Sequence, residues 1–157
     1  MSQPILSKNL ESCIEAGQTN AIKKFCFEYI DNCDFSSSYQ IDEVCTKGNI
    51  KLYCGYFQGV YGLIIIEILG LYPKEIEHIE SNLIPGIRER IQNLPRKRGM
   101  DNFNYETTAN GIVIRFYVVV SGDRPVKEEL VKLVNDLAPA LEFLTKYIEG
   151  VIIRGDK

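Results

Sequence analysis

The stretch 59–70, Gly-Val-Tyr-Gly-Leu-Ile-Ile-Ile-Glu-Ile-Leu-Gly, is the most apolar in the chain and holds one charge, Glu67. β-branched residues fill its centre and glycines bound it, which suits a buried strand better than a helix. A helical alternative has the right spacing, because Phe57, Tyr61, Ile64, Ile68 and Tyr72 recur every three to four residues. As a strand over roughly 60–69, the segment puts Leu63, Ile65, Glu67 and Leu69 on one face and Ile64, Ile66 and Ile68 on the other. Neither set is a solvent-facing set, so this segment needs cover on two sides.

Its neighbours read as further strands. In Ile50 to Phe57, Ile50, Leu52, Cys54 and Tyr56 share one face, and Lys51, Tyr53, Gly55 and Phe57 share the other. Gln58-Gly59 then supplies a turn, so this strand and the central one are expected to form a hairpin. Tyr39 to Cys45 is a weaker strand, closed by Thr46-Lys47-Gly48-Asn49. Asn102 to Thr108 and Ile112 to Ser121 flank Asn110-Gly111, the pair preferred by a type I′ turn, in which both central residues take positive φ. The second of these strands is also apolar on both faces: Ile112, Ile114, Phe116, Val118 and Val120 line one, and Val113, Arg115, Tyr117 and Val119 the other.

Helical spacing marks the rest. Leu10, Cys13, Ile14 and Ala16 form a first run, ended by Gly17. Beyond the capping residues Thr19 and Asn20, Ile22, Phe25, Cys26, Tyr29, Ile30 and Cys33 define one apolar face, and Asp34 to Ser38 is a polar stop. Pro73 suits a first helical turn. Ile76, Ile79, Leu83, Ile84, Ile87, Ile91 and Leu94 keep one face over 74–94, with a kink or a division expected at Pro85-Gly86 and an end at Pro95. Glutamates crowd the start of this helix and arginines its end, as the macrodipole favours. A last helix is expected after Asp123 and Pro125. Its stripe is Val126, Leu130, Leu133, Val134, Leu137, Leu141, Leu144 and Ile148, with a kink at Pro139 and Gly150 as C-terminal cap. Val151 to Arg154 is compatible with a short strand or a surface segment.

The expected fold is therefore α+β. An antiparallel sheet of four to five strands carries helices packed on it, in the order α-β-β(-β)-α-β-β-α. A chain of 157 residues suits a single domain, 1–157. It divides into an N-terminal helical region, 7–34, an α+β body, 39–149, and a short tail, 150–157.

Composition narrows the function classes. The formal net charge of −3 argues against nucleic acid as the main partner. The first residues lack the basic start and apolar run of a signal peptide, and the run at 60–72 falls short of the ~20 residues that span a bilayer. The expectation is a cytoplasmic protein with no membrane association. Five cysteines, Cys13, Cys26, Cys33, Cys45 and Cys54, form no Cys-x-x-Cys pair, and they suit small buried hydrophobes carrying reduced thiols. His78, beside Glu75, Glu77 and Glu80, is the sole histidine. It suits a surface position better than a metal ligand or a base. No serine-hydrolase, zincin, phosphate-loop or dinucleotide spacing is present. No catalytic residue, metal site or cofactor is expected, and the chain does not read as an enzyme.

The order of elements resembles the type III secretion chaperone-like fold, which also houses YbjN-type bacterial regulators. Leu-Gly-Leu-Tyr-Pro (69–73) looks like the strand exit before its middle helix, and Glu80-Ser81-Asn82-Leu83 falls where that family often has an apolar-and-Asn segment. Asn102 to Val120 is similar to its two late strands and Leu130 to Tyr147 to its long C-terminal helix. The resemblance covers roughly 20–149 and is one of order and pattern; Pro85 and Pro139 have no counterpart in it. It implies a homodimer without catalysis, either holding a partner's unfolded segment on apolar patches or acting as a regulator.

Three sets of residues are candidates. Tyr53, Phe57 and Tyr61 would cluster on the early strands, as a groove for a partner segment or as rings covered by the N-terminal helices. Glu67 and Arg115, the lone charges on the second faces of their strands, would either pair or each reach solvent at a sheet edge. Arg88, Arg90, Arg96, Lys97 and Arg98 form a basic run, suited to a solvated helix end or to phosphate. The expected function is a homodimeric, non-enzymatic interaction or regulatory module, chaperone-like in character, whose protein partner is unidentified. The alternative is a small-molecule sensor or an accessory nucleic-acid-contacting protein using the 88–98 patch.

Overall fold

The computed structural model describes residues 21–47, 49–57, 61–92, 102–119 and 126–148. The fold is α+β: a five-stranded antiparallel sheet with helices on one face. Helix α1 spans Ala21–Asn32, and strands β1, β2 and β3 span Tyr39–Lys47, Ile50–Phe57 and Tyr61–Ile68. A helical segment follows in three parts: α2 (Pro73–His78), a π-helical turn (Ile79–Leu83) and α3 (Ile84–Ile91). Strands β4 (Phe103–Thr107) and β5 (Ile112–Val119) precede helix α4 (Val126–Tyr147).

The apolar stretch is a strand, and it is the centre of the sheet. The strand order is β1-β2-β3-β5-β4, so β3 has two strands on either side of it. β1, β2 and β3 are a meander; the α2–α3 segment then crosses to the far edge, and β5 returns between β3 and β4. Register fixes the faces. Cys54 stands opposite Ile64, and Ile64 opposite Phe116; Leu52, Ile66 and Ile114 form the next row, and Ile50, Ile68 and Ile112 the third. All of these residues are buried.

The helices cover this face alone. Ile22, Phe25, Cys26, Tyr29 and Ile30, the apolar face of α1, are buried, and so are Leu130, Leu133, Val134, Leu137, Leu141 and Leu144 of α4. α1 and α3 each pack against α4, which lies over β3 and β5. Fully burying each such side chain is worth about 1.5–3 kcal/mol, against roughly 0–1 kcal/mol for an exposed ion pair, so this layer outweighs the surface pairs.

Local departures from the sequence expectations have physical reasons. The β4–β5 turn is not type I′: positive φ is confined to Phe35 and Gly70 among the described residues. Thr108 N–H donates to Gly111 O at 2.9 Å, which centres the turn on Ala109 and Asn110. Gly111 is required for close approach instead, since a Cβ there would lie 2.5 Å from Ile68 O. The expected break near Pro85 lies one turn earlier, at Ile79–Leu83, and Pro85 sits in the first turn of α3, where its missing N–H costs least. α4 runs through Pro139 as one helix. Phe35 takes φ 55°, an unfavourable conformation for a bulky residue, and its ring packs on Tyr56 at 5.1 Å. The expected helix at Leu10–Ala16, the caps Asp123, Pro125 and Gly150, and the segment 151–154 lie outside the described residues.

Candidate functional site: the open sheet face

The other face of the sheet has none of the described helices on it. Register assembles it in rows. Tyr39 stands beside Phe57 and Phe57 beside Tyr61; Ile41, Gly55, Leu63 and Tyr117 form the next row; Glu43, Tyr53, Ile65, Arg115 and Asn104 the third. Lys51, Glu67, Val113 and Glu106 form the fourth.

The two ends of this face differ chemically. At the β4–β5 end the side chains form a polar ladder. Arg115 donates to Asn104 Oδ1 at 3.3 Å and to Glu106 Oε1 at 3.1 Å, and the Asn104 amide donates to the Tyr117 hydroxyl. Tyr53 donates its hydroxyl to Glu67 at 3.3 Å. Partial burial, more than the Glu67 charge, raises the Tyr53 phenol above its ordinary value. Glu67 and Arg115 therefore take separate partners. Register explains this, since Arg115 faces Ile65 and Glu67 faces Val113, one pair apart and on the same face.

At the β1–β2 end the face is aromatic and aliphatic. Tyr39 is 61% exposed, Ile41 48% and Phe57 44%, and the Tyr39 and Phe57 rings lie 5.9 Å apart. Ile41 rests on Gly55: a Cβ at Gly55 would stand 2.7 Å from Ile41 Cγ1 and 2.4 Å from Gln40 O. The glycine brings β1 close and lays Ile41 flat over β2. The apolar corner sits at an edge strand, interrupted at Val44 by a bulge that shifts the register between Glu43 and Cys45.

Of the aromatic candidates, Tyr53 and Phe57 lie on this face, and Tyr61 occupies a β3 position beside Phe57, its side chain lying outside the described residues. Sequence reasoning missed Tyr39 and Ile41. Their alternation in Tyr39-Gln40-Ile41 was available, but the weak strand pattern gave no reason to place them beside Phe57 and Gly55.

Of the basic run, the two described residues, Arg88 and Arg90, do not share a patch. Arg88 lies over the Phe103 ring at 5.0 Å, while Arg90 lies over the Phe143 ring at 3.9 Å and donates to Gly86 O at 3.0 Å. Two residues apart on a helix, they point to different sides, one to β4 and one to α4. A shallow groove of about 200 Å³ beside Arg90 is lined by Pro139, Glu142, Phe143 and Lys146, of mixed charge. Arg96, Lys97 and Arg98 lie outside the described residues.

His78 binds through Nδ1 to the Tyr147 hydroxyl, joining α2 to the end of α4. Among the described residues no three His, Cys, Asp or Glu side chains are grouped to hold a metal ion, and no helix is long and apolar enough to cross a membrane. No family model, curated protein or solved structure matches this chain.

Proposed function

We propose that the protein is a homodimeric interaction or regulatory module that works through the open face of its sheet, with the chaperone-like character that the resemblance to secretion chaperones implies. The observation that carries this reading is the corner formed by Tyr39, Ile41 and Phe57, three large apolar side chains exposed together at a sheet edge. Monomeric soluble proteins seldom leave such a patch uncovered, and clustered aromatic residues are the usual anchors of protein interfaces. The ordered polar ladder beside it supplies the rim, where exposed pairs orient a partner more than they hold it.

The test is light scattering on the purified chain at micromolar concentration. A mass of twice the chain is expected, and the double variant Ile41→Lys/Phe57→Lys should weaken association by roughly tenfold or more while leaving the circular dichroism spectrum unchanged. A monomer at all concentrations would refute the dimer. A dimer indifferent to both substitutions would refute the placement.

A further inference from the structure

We propose that Cys26 and Cys54 are a disulfide-forming pair, a modification site at which a hydroperoxide turns two core thiols into a covalent tie between α1 and β2. Cys26 lies on the inner face of α1 and Cys54 on the helix-facing side of β2; both are buried, and their sulfurs stand 3.3 Å apart. That is sulfur-to-sulfur contact, with no side chain between them. Closing the bond needs the two sulfurs, now 3.3 Å apart, to approach by roughly 1.2 Å in total to reach the usual ~2.05 Å.

A second observation marks the same place. A small apolar cavity of about 10 Å³ opens beside the pair, walled by Cys26, Tyr29, Ile30, Cys54, Ile64 and Leu130 among others. Tyr29 is buried, and its hydroxyl has no hydrogen-bond partner, the only such buried side-chain atom among the described residues. An unpaired donor costs stability where it stands, and Tyr29 lines the same cavity as the two cysteines. The cavity is at the lower limit for a single water, so it is slack in the packing around the two sulfurs and not a chamber for the oxidant.

The chemistry balances with hydrogen peroxide as the oxidant. One sulfur attacks a peroxide oxygen, the O–O bond breaks, and water leaves with a sulfenic acid in place of the thiol. The second sulfur then attacks the first, the S–O bond breaks, and the hydroxyl departs with the second thiol's proton as another water. Two thiols are oxidised to one disulfide and one peroxide is reduced to two waters. Cys33 provides an internal comparison: it is half-buried and lies 3.9 Å from Gln40 Oε1, and no described residue places a thiol against it. Of the remaining cysteines, Cys13 and the Cys45 side chain lie outside the described residues.

The experiment treats the folded full-length protein with hydrogen peroxide, alkylates the remaining thiols in denaturant, and maps peptides without reduction. The expected result is a peptide pair joined through Cys26 and Cys54, released by dithiothreitol, formed faster in native buffer than in urea, and absent from Cys26→Ala and Cys54→Ala. The wild-type map stands even if either variant fails to fold. The proposal is overturned if Cys26 and Cys54 remain alkylatable after Cys33 has been oxidised, if the pair links only in urea, or if the link joins other cysteines. None of these outcomes depends on the oligomeric state, so the result is independent of the reading of the open face.

Discussion

Tyr29 shows how much one hydroxyl can matter. Its ring packs in the core while its hydroxyl is left without a partner, and burial, then the nearby Cys33 and Asp42, pushes its pKa well above the ordinary phenol range. Tyr29→Phe removes the unpaired group and keeps the ring, so urea denaturation at neutral pH should show a change between zero and about 1 kcal/mol in the stabilising direction. The sign of the alkaline effect follows from the same shift. The folded-state pKa lies above the unfolded one, so the contribution is intact below the ordinary value of 10.0 and is lost as pH rises beyond it, because only the unfolded chain ionises readily. Tyr29→Phe should therefore flatten the loss of stability above that pH in a melting series. Gly55 makes the opposite kind of demand. Gly55→Val places side-chain atoms where Gln40 O and Ile41 already stand, and should cost about 1–3 kcal/mol or displace β1, read as a lower urea midpoint.

At the level of elements, most of the architecture was legible because hydrophobic period is a strong signal. The alternation in Ile50–Phe57 and the unbroken apolar run around Ile64–Ile66 matched β2 and β3 closely, and the Ile22–Ile30 stripe matched α1. The turn chemistry at Asn110-Gly111 misled, because the glycine answers to the backbone of Ile68 across the sheet, a tertiary neighbour that local pairing rules do not contain. The partners of Glu67 and Arg115 were illegible for a related reason. Both residues are on the expected face, but a two-residue difference in register decides between them, and register is a property of two strands together. The π-helical turn at Ile79–Leu83 has no sequence mark that we can name. α4 carries Pro139 in its interior on an exposed position, at the expense of a backbone hydrogen bond. Pro139→Ala should raise stability by about 1–3 kcal/mol in chemical denaturation, provided the helix keeps its packing on α1 and α3.

At the scale of the whole molecule, the described helices cover the sheet on one face. Its helix-facing side is a continuous apolar layer and its far side is divided between a polar ladder and an apolar corner. Two-faced apolarity in β3 and β5 raised from the sequence the expectation of a second cover, while the apolar corner at Tyr39, Ile41 and Phe57, exposed among the described residues, came only with the strand order. The strand order has a further consequence, in time. The meander β1–β3 and the hairpin β4–β5 are each built from near neighbours in the chain, whereas the pairing of β3 with β5 spans the intervening helical segment and β4. Closing distant contacts is the slow part of folding, because the chain entropy is spent before the contacts repay it. Until β5 docks, β3 presents an unpaired isoleucine-rich edge, so the nascent chain is most exposed to misassociation along the strand that ends up most protected.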